Sequence, residues 1–231
     1  MAATGRSSFG WLRDSYLQEL TDFQIEVASE FLSTTGGKQF VLAGGAALLV
    51  HGISRRPTQD LDFFTENPNY AIEAGLNSLV NLSNQQGWSI EVVKSEDSFR
   101  RVIVRGKDSL LVDLARESTL IMKPILTRLG PVVAPEELAG RKVLALFDRA
   151  LARDFIDVYA LAKHYSLDSM IAMARTIDSG FDPVALSELI LTFERFEDQD
   201  LKGQGIDAPE LREFFSDWHS LILRSNSIDE R

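Results

Sequence analysis

The run from Phe40 to Phe64, FVLAGGAALLVHGISRRPTQDLDFF, constrains this chain more than any other stretch. It reads as strand, Gly-Gly turn, short helix, loop and second strand. The second strand carries Asp60 and Asp62, with Leu61 between them. Residues two apart on a strand share a face, so the two carboxylates stand side by side and repel. An apolar core gives no reason for that placement. A divalent cation does: carboxylate oxygen is the ligand that Mg²⁺ (or Mn²⁺) prefers, with substrate phosphates completing the shell. Gly44 and Gly45 end the first strand and open a helix. Glycine lets the backbone turn tightly and approach a ligand, and free N–H groups at a helix start attract phosphate. The bland alternative is a D-x-D at a strand edge beside an ordinary glycine turn. The order of the parts, between apolar strands, favours a site for a nucleoside triphosphate.

The rest of the chain falls into two stretches. Residues 1–134 read as α/β. Apolar residues recur at helical spacing over Ser15–Ser33, and Lys38–Ala43 is the first strand. The loop Gly52–Gln59 is basic and contains Pro57. A helix is expected from Asn67-Pro68 to Asn84, then strands over Trp88–Val93, Phe99–Val104 and Ser109–Ala115, the last two joined by a hairpin at Gly106–Ser109. Thr119–Val133 is ambiguous, an irregular strand and loop around Pro124 and Pro131. Residues 135–231 read as a helical bundle. It starts at Pro135-Glu136-Glu137 and is broken near Ala150–Asp154, Tyr165–Leu167, Ser179–Pro183, Glu197–Asp207 and Ser225.

Three further positions carry chemistry. Asp113 lies in the strand LLVDL, where a carboxylate is costly if buried unpaired; the simpler account is a salt bridge to Arg100 or Arg101 on the next strand. Lys142 is either a compact cation for phosphate or an exposed helix lysine. Asp157 is a site residue or a partner for Arg149 or Arg153. Lys142 and Asp157 are 15 residues apart. On one straight helix that is about 22 Å, too far to share a site. If both serve the site, the chain must turn between them, near Ala150–Asp154, where Asp154 suits a cap for the next helix. Arg55 and Arg56 are placed to meet phosphates or an acceptor RNA, and Thr58 to hold Asp60 by a hydrogen bond. Arg100, Arg101 and Arg105, with Arg55, Arg56, Lys142, Arg149 and Arg153, make either a basic cleft or scattered surface charge. His51 reads as a packed or capping histidine.

These blocks resemble a known family. G-G-x₁₄-D-L-D-F resembles the signature of DNA polymerase β-like nucleotidyltransferases, and H-G-I-S-R-R-P-T-Q-D-L-D resembles the variant of the AbiEii/AbiGii toxin family, which includes the MenT toxins. E-E-L-A-G-R-K-V-L-A-L-F-D-R resembles that family's third motif, and R-D-F-I-D-V-Y-A-L its fourth. Two departures stand out. Gly45 replaces the serine of the commoner G-S form, and the 14-residue gap is slightly long. The resemblance spans roughly Val41–Leu161. It implies a polymerase β-like mixed-sheet α/β (α+β) core followed by a C-terminal helical bundle that completes the nucleotide site. It implies Asp60, Asp62 and Asp113 as metal carboxylates, Asp113 serving as ligand or base. It implies Gly44, Gly45, Thr58, Lys142 and Arg153 at the nucleotide, and Asp157 as essential. The implied reaction is NMP transfer from an NTP to an acceptor. In the toxins the acceptor is the tRNA 3′ end, and a cognate antitoxin restrains them. Two other readings stand beside it: a nucleotidyltransferase of small molecules such as antibiotics or of protein hydroxyls, and a nucleotide-binding module without turnover.

Composition narrows the classes. The chain has 231 residues, 45% of them hydrophobic, enough for a core. Without cysteine there are neither disulfides nor thiolate metal sites, and three scattered histidines speak against zinc. No apolar run is of membrane-spanning length and the N-terminus lacks a signal-peptide core, so a cytoplasmic protein is expected. A net charge of −10 opposes non-specific nucleic-acid binding.

Overall fold

Thr21 sets where the first helix begins. Its side chain accepts from the Gln24 N–H while Gln24 accepts from the Thr21 N–H, a reciprocal cap. Helix α1 therefore runs Asp22–Ser33 rather than from Ser15. The computed structural model describes residues 19–66, 72–117, 120–201 and 207–229, with side chains to residue 224. Leu17 and the Asn67-Pro68 helix start lie outside the described residues.

A 3₁₀ turn at Gly37–Gln39 takes the first half of the expected strand, because Phe40 N–H closes back on the Gly37 carbonyl. The elements that follow are β1 (Val41–Ala43), α2 (Gly44–Val50), β2 (Asp60–Thr65), α3 (Ile72–Gln86), β3 (Ser89–Glu96), β4 (Phe99–Arg105) and β5 (Ser109–Arg116). The ambiguous stretch before Pro135 contains a small hairpin, β6 (Ile125–Thr127) and β7 (Gly130–Val132). Among the described residues these strands form one mixed sheet of seven in the order β3-β4-β5-β2-β1-β7-β6. β2 pairs antiparallel with β1 and parallel with β5.

One face of the sheet is apolar. Leu61 and Phe63 of β2, Val112 and Leu114 of β5, and Val102 and Val104 of β4 are fully buried. Helices α1 and α3 cover them: Phe31 meets Phe63 at 4.8 Å between ring centroids, and Gly75 lies close against Phe40 and Leu114. Burying each such side chain contributes roughly 1.5–3 kcal/mol. The alternate residues of β2, Asp60, Asp62 and Phe64, face the other way and are half-buried.

The helical part begins with α4 (Pro135–Arg149) and continues through α5 (Ala152–Ala162), α6 (Leu167–Ile177), α7 (Pro183–Ile190), α8 (Asp198–Leu201) and α9 (Ala208–Asp229). No break occurs at Ser225, where helix α9 continues. Phe155 gathers Phe193, Phe196 and Phe215 within 5.9 Å between centroids. Among the described residues no helix is long and apolar enough to cross a membrane.

Candidate active site

Strand register assembles the polar face. Ala43 opposes Asp62, Asp62 opposes Asp113, and Asp113 opposes Arg101. One row therefore crosses four strands, with Asp60 one pleat away from Asp62. Gly44, next to Ala43, has φ +62, and a Cβ there would run into Asp62 Oδ2. Both the left-handed backbone and the carboxylate demand glycine. A Cβ on Gly45 would sit 2.8 Å from Thr58 Oγ1. The room a larger residue would need there is thus filled by the Thr58 hydroxyl, which donates to Asp60 Oδ1 at 2.7 Å. Gln24, buried on α1, braces this loop by donating to the Thr58 carbonyl at 2.8 Å.

The carboxylates differ in how their charges are met. Asp113 accepts from Arg101 Nε at 2.8 Å and Nη2 at 2.6 Å. Asp60 has Thr58 and, at 3.9 Å, Arg153. Asp62 has neither a hydrogen bond nor an ion pair among the described residues. Burial and the neighbouring Asp60 charge push its carboxyl up to about 6, against the pull of Lys142. As placed, no group of three or more His, Asp or Glu among the described residues forms a ready metal cage; Arg101 already takes up Asp113.

Asp157 sits at the opposite extreme. It is 1% exposed, and Lys142 Nζ reaches it at 2.8 Å. Arg56 adds Nε at 3.0 Å and Nη2 at 3.1 Å. Burial alone would raise its pKa; the Lys142 charge and the Arg56 hydrogen bonds outweigh that and hold it below the usual range. The turn that brings Lys142 and Asp157 together is at Ala150, left-handed at φ 45. Beyond it Asp154 accepts from the Leu151 N–H at 3.1 Å and caps α5. Arg149 pairs with Asp154, not Asp157, and Arg153 reaches toward Asp60.

Two clefts meet this strand. A cleft of about 540 Å³ is lined by Gly44, Asp62, Phe64, Lys142 and other residues of α4. A second, about 760 Å³, is lined by Thr58, Asp60, Arg56 and Arg153, with α1 and β5 as further walls. Arg153, read from sequence beside the nucleotide residues, lines the second cleft and comes within 3.9 Å of Asp60. The arginines do not pool into one basic cleft: Arg100 pairs with Glu73, Arg105 with Glu91, and Arg56, Arg101 and Arg149 are committed as above. Arg55 is exposed. His51 caps α2 and contacts the Val133 carbonyl at 2.9 Å.

Sequence reasoning passed over the walls of the first cleft. Phe64 continues the Asp60–Asp62 alternation, and Arg141 lies over its ring at 5.6 Å. Glu137, fully buried, fixes Arg141 at 2.8 Å. Glu117 extends the face of Asp113, and burial raises its carboxyl against the pull of Arg141. Leu138, Arg141, Lys142, Ala145, Asp148 and Arg149 line the cleft. Their spacing is one stripe of a helix, the signal that would have found them.

The mixed sheet, with Asp60 and Asp62 on its central strand and helices after it, has the polymerase β-like nucleotidyltransferase fold. The chain belongs to the AbiEii family, described as "Nucleotidyl transferase AbiEii toxin, Type IV TA system", which matches residues 29–219. JHP933 from Helicobacter pylori superimposes with a TM-score of 0.56 at 22% identity, covering 95% of this chain and 99% of that one. MenT4, a nucleotidyltransferase toxin from Mycobacterium tuberculosis H37Rv, gives 0.56 at 20% identity over 90% of this chain and 86% of its own. At these identities the likeness is one of fold. No curated protein matches the chain in sequence.

Proposed function

We propose that the protein transfers NMP from an NTP to the 3′ end of tRNA, as a cytoplasmic toxin restrained by a cognate antitoxin. One observation carries the two-substrate reading: separate clefts reach adjacent carboxylates, one at Asp62 and one at Asp60. The first takes the nucleotide. There the Gly44–Gly45 turn brings main chain directly against Asp62 at the cleft wall, and Lys142 meets the triphosphate, aimed by Asp157. The second takes the acceptor, with Arg153 and the nearby Arg55 beside its phosphates. Thr58 and Arg56 hold the loop between them. Residues 1–134 supply the carboxylates, and residues 135–231 supply Lys142 and Asp157 and complete the site.

Two carboxylates on one face, one without a counter-charge, fit Mg²⁺ or Mn²⁺. Asp60 and Asp62 would hold the ion, which when bound neutralises triphosphate charge as pyrophosphate leaves. Asp113 stands behind them with its own charge met by Arg101.

A second reading draws on charge. At net −10, with most site arginines paired, the protein suits a small or cationic acceptor better than a polyanion. Incubation with Mg²⁺, each α-³²P-labelled NTP and total tRNA, beside Asp60→Ala, separates the readings. Label on tRNA from wild type alone supports the proposal. NTP binding without labelled RNA shifts the acceptor to a small molecule or a protein hydroxyl, or leaves a binding module. Neither binding nor transfer overturns both.

A further inference from the structure

We infer that Arg101 is the fixed counter-cation of Asp113, so that this site takes one divalent cation, on Asp60 and Asp62, rather than two. The inference rests on reading those two residues as metal carboxylates.

Arg101 is not a loose surface arginine. It opposes Asp113 directly in an antiparallel pairing that holds register from Phe99↔Ala115 to Arg105↔Ser109. Its Nε and Nη2 donate to the two separate Asp113 oxygens at 2.8 and 2.6 Å. A parallel fork of this kind is the strongest geometry a guanidinium offers a carboxylate. Phe99, two residues back on the same face, lies under the guanidinium at 5.6 Å. Asp113 is 7% exposed, so taking its partner away would leave a nearly buried charge unmet.

The charge count points the same way. Asp60, Asp62 and Asp113 bring three negative charges and Arg101 returns one, which leaves two, the charge of one divalent ion. Arg153 changes this little: it stops 3.9 Å from Asp60, whereas Arg101, 40% exposed, is locked to Asp113 by two hydrogen bonds, and Lys142 is taken up by Asp157. The uncompensated charge is also in the right place. Asp62 is the carboxylate without a direct partner among the described residues, and Asp60 shares its face. A second ion on Asp113 would have to displace a bidentate arginine. Arg101 is therefore a positioning residue: it does not meet the nucleotide, and it sets how many ions the carboxylate row accepts.

The test is the number of Mn²⁺ ions bound by the full chain without nucleotide, from loss of the free-ion EPR signal on titration. Wild type is expected to bind one ion, and Asp62→Asn none. Arg101→Gln, which frees Asp113, is expected to bind two. The double variant Arg101→Gln/Asp113→Asn removes both charges of the pair and is expected to keep the native fold by circular dichroism. It should return to one ion with affinity within about threefold of wild type, since removing both members of the pair leaves the net charge beside Asp62 unchanged. Two ions on wild type, or a double variant that loses its ion, would overturn the inference, because Asp113 would then be a ligand. One ion on a folded Arg101→Gln would also overturn it. If wild type binds no Mn²⁺, the metal reading of Asp60 and Asp62 falls as well, which separates that failure from the others.

Discussion

Asp157 and Asp62 face one lysine from two environments. Asp157 is buried and meets two cations, Lys142 and Arg56, so its charge is held on. Asp62 has lost much of its water and gained no direct partner, so its pKa rises to about 6. The same side chain is a brace in one place and an open valence in the other. The difference lies in compensation, not depth. A carboxylate that a protein satisfies internally serves the fold. One left short of charge at a cleft marks where something else is meant to bind.

The sharpest way to break this contrast is to remove each charge in turn. Asp62→Asn should abolish transfer, by about a thousandfold or more, while leaving the fold intact. The metal-free variant should even melt a few degrees higher, because a half-buried, unmet charge has gone. Asp157→Asn should do the reverse in stability: leaving Lys142 and Arg56 without their anion costs about 3–5 kcal/mol, read from urea denaturation. If both variants lose equal stability, the division into brace and open valence is wrong.

Gly44 sharpens the contrast from the backbone side. Gly44→Ala imposes a left-handed residue at about 1–2 kcal/mol and drives a methyl into Asp62 Oδ2. Asp62→Ala placed in the same chain should recover the steric part. The two substitutions should then be less than additive in thermal melts. Simple additivity would show that the turn is strained independently of the carboxylate.

The pH dependence carries a sign. Because the folded-state pKa of Asp62 is raised from 3.8 to about 6, the native metal-free protein binds a proton that the unfolded chain releases in that window. This group's contribution to stability therefore falls as pH rises from about 4 to 6. A bound cation reverses the trend, since it competes with the proton. Mg²⁺ or Mn²⁺ affinity should fall about tenfold per pH unit below about 6 and level off above it. Melting curves at pH 4.5–7.5 with and without the ion check both slopes, and Asp62→Asn should flatten both.

Much of this was legible in the chain. The carboxylate pair followed from alternation, and the turn between Lys142 and Asp157 from helix length. The partners of those residues were not. Arg56 reads as an acceptor contact beside Arg55, yet it lies 101 residues from Asp157 and bonds to it. No local pattern encodes a pairing that exists only after α5 docks on the loop before β2. The fate of Arg101 needed strand register, which sequence leaves as a choice between Arg100 and Arg101. Arg100 points to the α3 face and takes Glu73; Arg101 points to the carboxylates. The first cleft was legible at Gly44, Asp62 and Lys142 and not in its further walls, because the α4 stripe mixes apolar and charged residues and reads as an ordinary amphipathic face.

Thr58 offers the gentlest test. Its hydroxyl donates to Asp60 at 2.7 Å and fills the space beside Gly45, while its carbonyl is held by Gln24. Thr58→Val keeps the shape and removes the donor. Asp60 then loses a hydrogen bond worth about 1 kcal/mol, so its orientation loosens without any charge being added or removed. Transfer should drop by about tenfold or less, through kcat rather than nucleotide KM, and Tm should move by only a few degrees. Thr58→Ser, which restores the hydroxyl, should recover most of the rate. A loss as large as that of Asp62→Asn would mean that Thr58 touches the nucleotide itself. Thr58 would then supply the hydroxyl that Gly45 lacks, and the cleft at Asp62 would extend past Gly45.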